Sequence, residues 1–236
     1  MPLPGFPGEK KVTPGLDDLT EQLVEYKKSG ACFAKWRAVL TIGDGIPSPQ
    51  GIAANARALA RYAAICQEQG LVPIVEPEVL MDGDHTIEIC ARVTDEGLHA
   101  VFHALHRQRT VLELRLLKPN MVLPGAACPR QATPKEVAGA TLACLRRTVP
   151  AAVSGSIFSP AGGKTATANL NAMNTRPIKA PWQLSFSYAW ALRAPTLKAW
   201  RGAAVNTTAG QPALFKRLRL NGAARQGKYT VAMEQD

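Results

Sequence analysis

Lys118 closes the apolar run Leu112-Glu-Leu-Arg-Leu-Leu-Lys and stands directly before Pro119. Read as a strand, the run has a period of two. That period puts Leu112, Leu114, Leu116 and Lys118 on one face, which carries the amine into the same interior as the leucines. Burial disfavours the ammonium form, and a neutral lysine amine is a nucleophile able to form a Schiff base with a carbonyl compound. The plain alternative is a strand-end lysine that snorkels its charge to water. A second run, Val72-Pro-Ile-Val-Glu-Pro-Glu, places Glu76 and Glu78 two residues apart at a strand end, so both carboxylates are aimed the same way. In Phe33-Ala-Lys-Trp-Arg the cations Lys35 and Arg37 share a face by the same rule. An amine, two carboxylates and two cations at successive strand ends are the materials for acid/base work beside a nucleophilic nitrogen.

The elements that position these groups alternate regularly. Residues 1–15 are rich in Pro and Gly and read as an irregular entry. A helix is predicted from Leu16, with Leu16, Leu19, Leu23 and Tyr26 on one face and Gly30 to stop it. Cys32–Leu40 is a predicted strand, Gly51–Gln69 an Ala-rich helix, Leu71–Val79 a strand and Thr86–Arg107 a helix. After the Lys118 strand come a helix over Thr133–Arg147, a strand over Pro150–Ser159, a helix over Thr165–Met173, a strand over Leu184–Tyr188 and helices to the C-terminus. Such alternation with short connections predicts an α/β fold with a parallel sheet. Functional side chains at several successive strand ends favour the TIM (β/α)8-barrel type, here a partial barrel of about five βα units. No Gly-x-Gly-x-x-Gly follows the first strand, which weakens a dinucleotide-binding reading.

Composition narrows the partners. A net charge of +10 suits anions, either nucleic acid or phosphorylated small molecules. The basic residues are dispersed; the densest run is Lys216-Arg-Leu-Arg with Arg225 and Lys228, without aromatic stacking positions, and reads as a solvated helix face. Nucleic acid is supported by charge alone. His99, His103 and His106 share one helical face, but no Cys or carboxylate obviously completes a metal site, so no metal and no cofactor is expected. The 5 cysteines are scattered and unpaired in spacing, which points to reduced thiols. No apolar run approaches the roughly 18 residues of a membrane helix, and no signal peptide is recognisable, so a soluble, cytoplasmic protein without membrane contact is expected.

With these residues in hand, the sequence resembles the C-terminal two-thirds of class I fructose-bisphosphate aldolase, over Gly15 to Thr230. The resemblance rests on Phe33-Ala-Lys-Trp-Arg, Val72-Pro-Ile-Val-Glu-Pro-Glu, Asp82-Gly-Asp-His, Leu116-Leu-Lys-Pro-Asn-Met-Val, Asn169-Leu-Asn-Ala-Met-Asn and Phe186-Ser-Tyr, all in the family's order. It implies Lys118 as the Schiff-base lysine, Glu76 as the general acid/base, and Lys35 and Glu78 as their charged partners. It further implies Arg37 near the second phosphate, and Gly162, Gly163 and Ser187 at the first. The reaction implied is reversible aldol cleavage of fructose 1,6-bisphosphate to dihydroxyacetone phosphate and glyceraldehyde 3-phosphate, in glycolysis or gluconeogenesis. An iminium serves as the electron sink, so no metal is needed.

The resemblance also has departures. The family would supply further barrel strands before Gly15. Trp190 stands where it carries a phosphate-binding arginine, Ala161 replaces a serine before the two glycines, and the acidic stretch that follows is shortened. Leu114 and Arg115 replace small residues, with Arg115 facing the helix layer, and Val231–Asp236 replaces the family's tail. The alternative reading is therefore a truncated, catalytically impaired paralogue with only a binding or structural role. An open partial barrel also predicts a homo-oligomer or aggregate formed through exposed strand edges.

Overall fold

The computed structural model describes residues 1–6, 12–158, 163–176, 180–187 and 190–235, with the backbone alone for Trp190 and Ala191. Five strands are present among them: β1 (Phe33–Leu40), β2 (Val72–Val79), β3 (Leu116–Leu117), β4 (Gly155–Phe158) and β5 (Gln183–Phe186). They form one sheet in the order β1-β2-β3-β4-β5, every neighbouring pair parallel. Sequential order with a helix in each crossover is the partial-barrel arrangement that the alternation predicts.

The helices are α1 (Leu19–Lys28), α2 (Pro49–Glu68), α3 (Ile87–Arg107), α4 (Pro134–Thr148), α5 (Lys164–Asn174), α6 (Trp190–Trp200) and α7 (Thr207–Arg225). Three of them start on side-chain caps that are legible in the sequence. Ser48 accepts from Gly51 N–H at 3.1 Å, Thr86 from Ile89 N–H at 3.5 Å, and Thr133 with Glu136 forms a reciprocal capping box on α4.

Alternation along the strands separates two faces of the sheet. The helix-side face is the dry one: Val75, Leu117 and Phe158 are wholly buried there, and Leu59, Leu105 and Leu170 meet them from α2, α3 and α5. On the opposite face Phe33 is 62% exposed and Val72 37%, with Lys35 and Arg37 also open to solvent. In a closed barrel that face would line the packed interior.

Two expectations are corrected. The stretch from Leu112 does not form a long strand: β3 is two residues, residues 112–114 turn, and Leu114 is 57% exposed. Only Leu116 therefore shares a strand face with Lys118, because the ladder with β2 holds at Ile74–Leu116 and Val75–Leu117 alone. Nor is the basic C-terminal helix wholly solvated. Arg217 is buried, and its Nη1 donates to Glu234 Oε1 at 2.7 Å, which pins the short 3-10 segment Val231–Glu234 against α7. Arg115 does face the helix layer and is 1% exposed.

Candidate active site

Strand register brings the charged groups together. In the β1–β2 ladder Arg37 lies opposite Glu76 and Val39 opposite Glu78. The β2–β3 ladder sets Ile74 opposite Leu116, so two residues further on Glu76 stands beside Lys118, whose N–H donates to Val75 O at 2.8 Å. Lys118 Nζ donates to Glu76 Oε1 in a buried pair, the two side chains 9% and 3% exposed. From the other side Lys35 Nζ lies 2.9 Å from Glu76 Oε2. The ion pair of Arg37 Nε with Glu78 Oε2 sits one step outward, in a more open position.

Glu76 thus has an ammonium group at each of its oxygens. An isolated buried carboxylate would cost several kcal/mol, and flanking cations are what offset that cost. The same geometry lets the carboxylate accept a proton from Lys118 and return it to whatever forms on that nitrogen. Lys35, Glu76 and Lys118 form one contact unit, and Arg37 with Glu78 forms a second unit beside it.

Of the residues expected at the first phosphate, Gly163 and Ser187 are described. Gly163 is the N-cap of α5 at φ 60° and ψ −116°, a left-handed conformation that glycine alone adopts without strain. The first-turn amides of α5 behind it form the kind of terminus that favours an anion. Ser187 follows β5, and its N–H donates to Phe158 O at 2.8 Å, which holds it beside the end of β4. Both lie past the same end of the sheet as Lys118. Gly162 and Ala161 lie outside the described residues, as does the side chain of Trp190.

Sequence reasoning passed over Asn120. Its Oδ1 accepts from Val79 N–H at 3.0 Å, while Nδ2 donates to Thr94 Oγ1 at 3.1 Å and to Met121 O at 3.0 Å. A signal was present: Pro77 has no N–H, so β2 has no donor for Lys118 O, the ladder stops there, and a side chain can take over beyond it. His85, within the Asp82-Gly-Asp-His motif, is 6% exposed, and burial lowers its pKa. Behind Lys35, Trp36 stacks on Tyr62 with ring centroids 5.7 Å apart, and burial raises the Tyr62 phenol well above its ordinary range. His99, His103 and His106 are exposed on α3, and among the described residues no group of three or more His, Cys, Asp or Glu is placed to hold a metal ion. No helix among them is long and apolar enough to cross a membrane.

Comparison with known proteins agrees with this geometry. The family model described as fructose-bisphosphate aldolase class-I matches residues 1–236. Fructose-bisphosphate aldolase C of Pan troglodytes is 52% identical over 231 residues, which is 97% of this chain and 63% of the relative. Fructose-bisphosphate aldolase B of Gallus gallus is 51% identical over 237 residues, 100% of this chain and 65% of the relative. Among solved structures, the aldolase from Plasmodium falciparum, crystallised with TRAP and a small-molecule inhibitor, superposes with a TM-score of 0.93 at 46% identity. That match covers 98% of this chain and 67% of the other. The chain spans 63% of the length of the first of these curated relatives. On the whole-length family match and these identities, the chain belongs to the class I fructose-bisphosphate aldolase family.

Proposed function

We propose that this chain is a Schiff-base aldolase that cleaves fructose 1,6-bisphosphate reversibly to dihydroxyacetone phosphate and glyceraldehyde 3-phosphate, with residues 16–230 as the working unit. The observation that carries the reading is the buried Lys118–Glu76 pair with Lys35 on the second carboxylate oxygen. Lys118 attacks the substrate carbonyl, and Glu76 takes the ammonium proton and delivers it to the departing hydroxyl. The resulting iminium accepts the electron pair released when the carbon–carbon bond breaks. Lys35 keeps Glu76 charged between steps, and Glu78 holds Arg37, which meets a substrate phosphate. Gly162, Gly163 and Ser187 receive the other phosphate at the start of α5.

A cleavage assay coupled to triose phosphate detection tests this. The parent chain should turn over, and Glu76→Gln should lower the rate by about 10²–10⁴-fold, the range for removal of a positioned acid/base. Turnover that is undiminished in Glu76→Gln would overturn the assignment.

One observation favours the second reading, an impaired paralogue. The site face is open, with the Lys35 and Arg37 side chains 45% and 47% exposed, and water weakens the electrostatics on which such a site depends. The same openness supports association, since β1 and β5 end the sheet and Phe33 is 62% exposed at one of those edges. We include a homo-oligomer covering these edges in the proposal. Gel filtration over a range of concentrations checks it, a concentration-independent monomer counting against it.

A further inference from the structure

The β2–β3 ladder that carries the Glu76–Lys118 pair is short. It has two paired residues, closes with the Lys118 N–H on Val75 O, and goes no further because the next β2 position facing β3 is Pro77, which has no N–H to give to Lys118 O. Past that point β2 still runs on through Glu76, Pro77, Glu78 and Val79. The next backbone donor of β2 that faces β3, Val79 N–H, finds no carbonyl there and is met by Asn120 Oδ1 at 3.0 Å. Asn120 Nδ2 in turn donates to Thr94 Oγ1 of α3 at 3.1 Å and to Met121 O at 3.0 Å, with Cys90 Sγ of α3 also in reach at 3.8 Å. Thr94 is buried at 3% exposure, so the far anchor is fixed by the core. One side chain ties together the end of β2, the helix behind it and the segment following Lys118.

We propose that Asn120 is a positioning residue for the candidate active site, a side-chain clamp that replaces the missing ladder and sets the distance and angle between Lys118 and the carboxylates of β2. This deepens the aldolase reading and rests on it for its catalytic meaning, but the clamp is a property of the folded chain by itself. An amide suits the task because it supplies one acceptor and two donors at once. Alanine removes every one of these contacts. Thr94→Val removes the helix anchor while keeping the shape, so it weakens the clamp without opening a cavity.

Two readouts of opposite sign separate positioning from general loosening. In the ligand-free chain, the rate at which a small acylating reagent labels Lys118 is measured against exposed Lys198 by peptide mass mapping. Releasing the clamp frees Nζ from Glu76, so Asn120→Ala should raise the Lys118/Lys198 ratio by about fivefold, the factor set by one net hydrogen bond of about 1 kcal/mol. Thr94→Val should raise it less, and the double variant should not exceed Asn120→Ala. With dihydroxyacetone phosphate and borohydride, adduct formation at Lys118 should instead fall in the same order. An unchanged labelling ratio in a folded Asn120→Ala variant overturns the proposal. If that variant does not fold, Thr94→Val decides, a raised ratio supporting the clamp and an unchanged one rejecting it. If the parent forms no adduct but the ratios move as stated, the clamp stands and the aldolase reading fails.

Discussion

Glu76 on β2 and Lys118, the residue after β3, stand one step beyond the last paired residues of that parallel ladder, and their side chains meet in a buried ion pair. The placement follows from register. The ladder at Val75–Leu117 puts residues 76 and 118 side by side on the face away from the helices, and the 2.8 Å bond from Lys118 N–H to Val75 O keeps them level. A shift of one residue would send one of the two side chains into the helix layer. Lys35 reaches the second oxygen of Glu76 from β1, so β1, β2 and the residue after β3 each contribute one member of the unit.

Arg115 is a buried and under-paired charge. It is 1% exposed; Nη2 donates to Thr110 O and Oγ1 at 3.2 and 2.7 Å, but Nε and Nη1 have no hydrogen-bond partner among the described residues. Burial pushes its pKa down to about 10, with Glu113 opposing the shift. Replacing a buried, under-paired cation by an apolar side chain of similar length removes a desolvation cost. Arg115→Met should therefore raise stability in urea, by about 1–4 kcal/mol. A destabilised variant would show that the guanidinium is a net contributor.

The Arg217–Glu234 pair should behave oppositely. Its side chains are 9% and 5% exposed, Arg217 Nη2 also donates to Thr167 Oγ1 at 2.6 Å, and Tyr229 Oη–H donates to Glu234 Oε1 at 3.1 Å. Glu234→Ala leaves Arg217 buried without its counter-ion, so it should cost about 3–5 kcal/mol by urea denaturation. A loss below about 0.5 kcal/mol, the level of an ordinary surface change, would mean that the C-terminal segment is not held by this pair.

His85 gives stability a pH dependence below neutrality. Its pKa in the folded chain is lowered by burial from the ordinary 6.5, against the opposing charge of Asp84. Between the two values the unfolded chain binds a proton that the folded chain does not, so stability is fully present above the ordinary value and is lost as pH falls toward the lowered one. The urea midpoint of the parent should drop as pH falls below about 6.5, and His85→Gln should flatten that drop. Parallel pH profiles for the two proteins would remove His85 as the cause.

Much of this was legible in the residues. Periodicity located β1 and β2 to within a residue, and the helices expected from Gly51, Thr86 and Thr133 begin at Pro49, Ile87 and Pro134. The Lys35, Glu76 and Lys118 unit followed from strand faces together with the family motifs. The extent of β3 was misread because a continuous apolar run does not say whether it is laddered. Leu112 and Leu114 have the right composition, but the pairing with β2 begins only at Leu116. Arg217 was misread because a run of cations looks solvated until its partner is known, and Glu234 is 17 residues away in sequence. The Asn120 clamp was hidden for a similar reason: its partners on β2 and α3 are 41 and 26 residues distant.

The most direct measurement is borohydride trapping. The chain is incubated with dihydroxyacetone phosphate, reduced, and digested for peptide mass mapping. A single adduct on Lys118 is expected, absent in Lys118→Arg and slowed in Glu76→Gln, because a buried amine paired with a proton-accepting carboxylate is the group here equipped to form an iminium. Adducts confined to exposed lysines such as Lys198, with Lys118 recovered unmodified, would contradict the assignment of this chain as a Schiff-base aldolase.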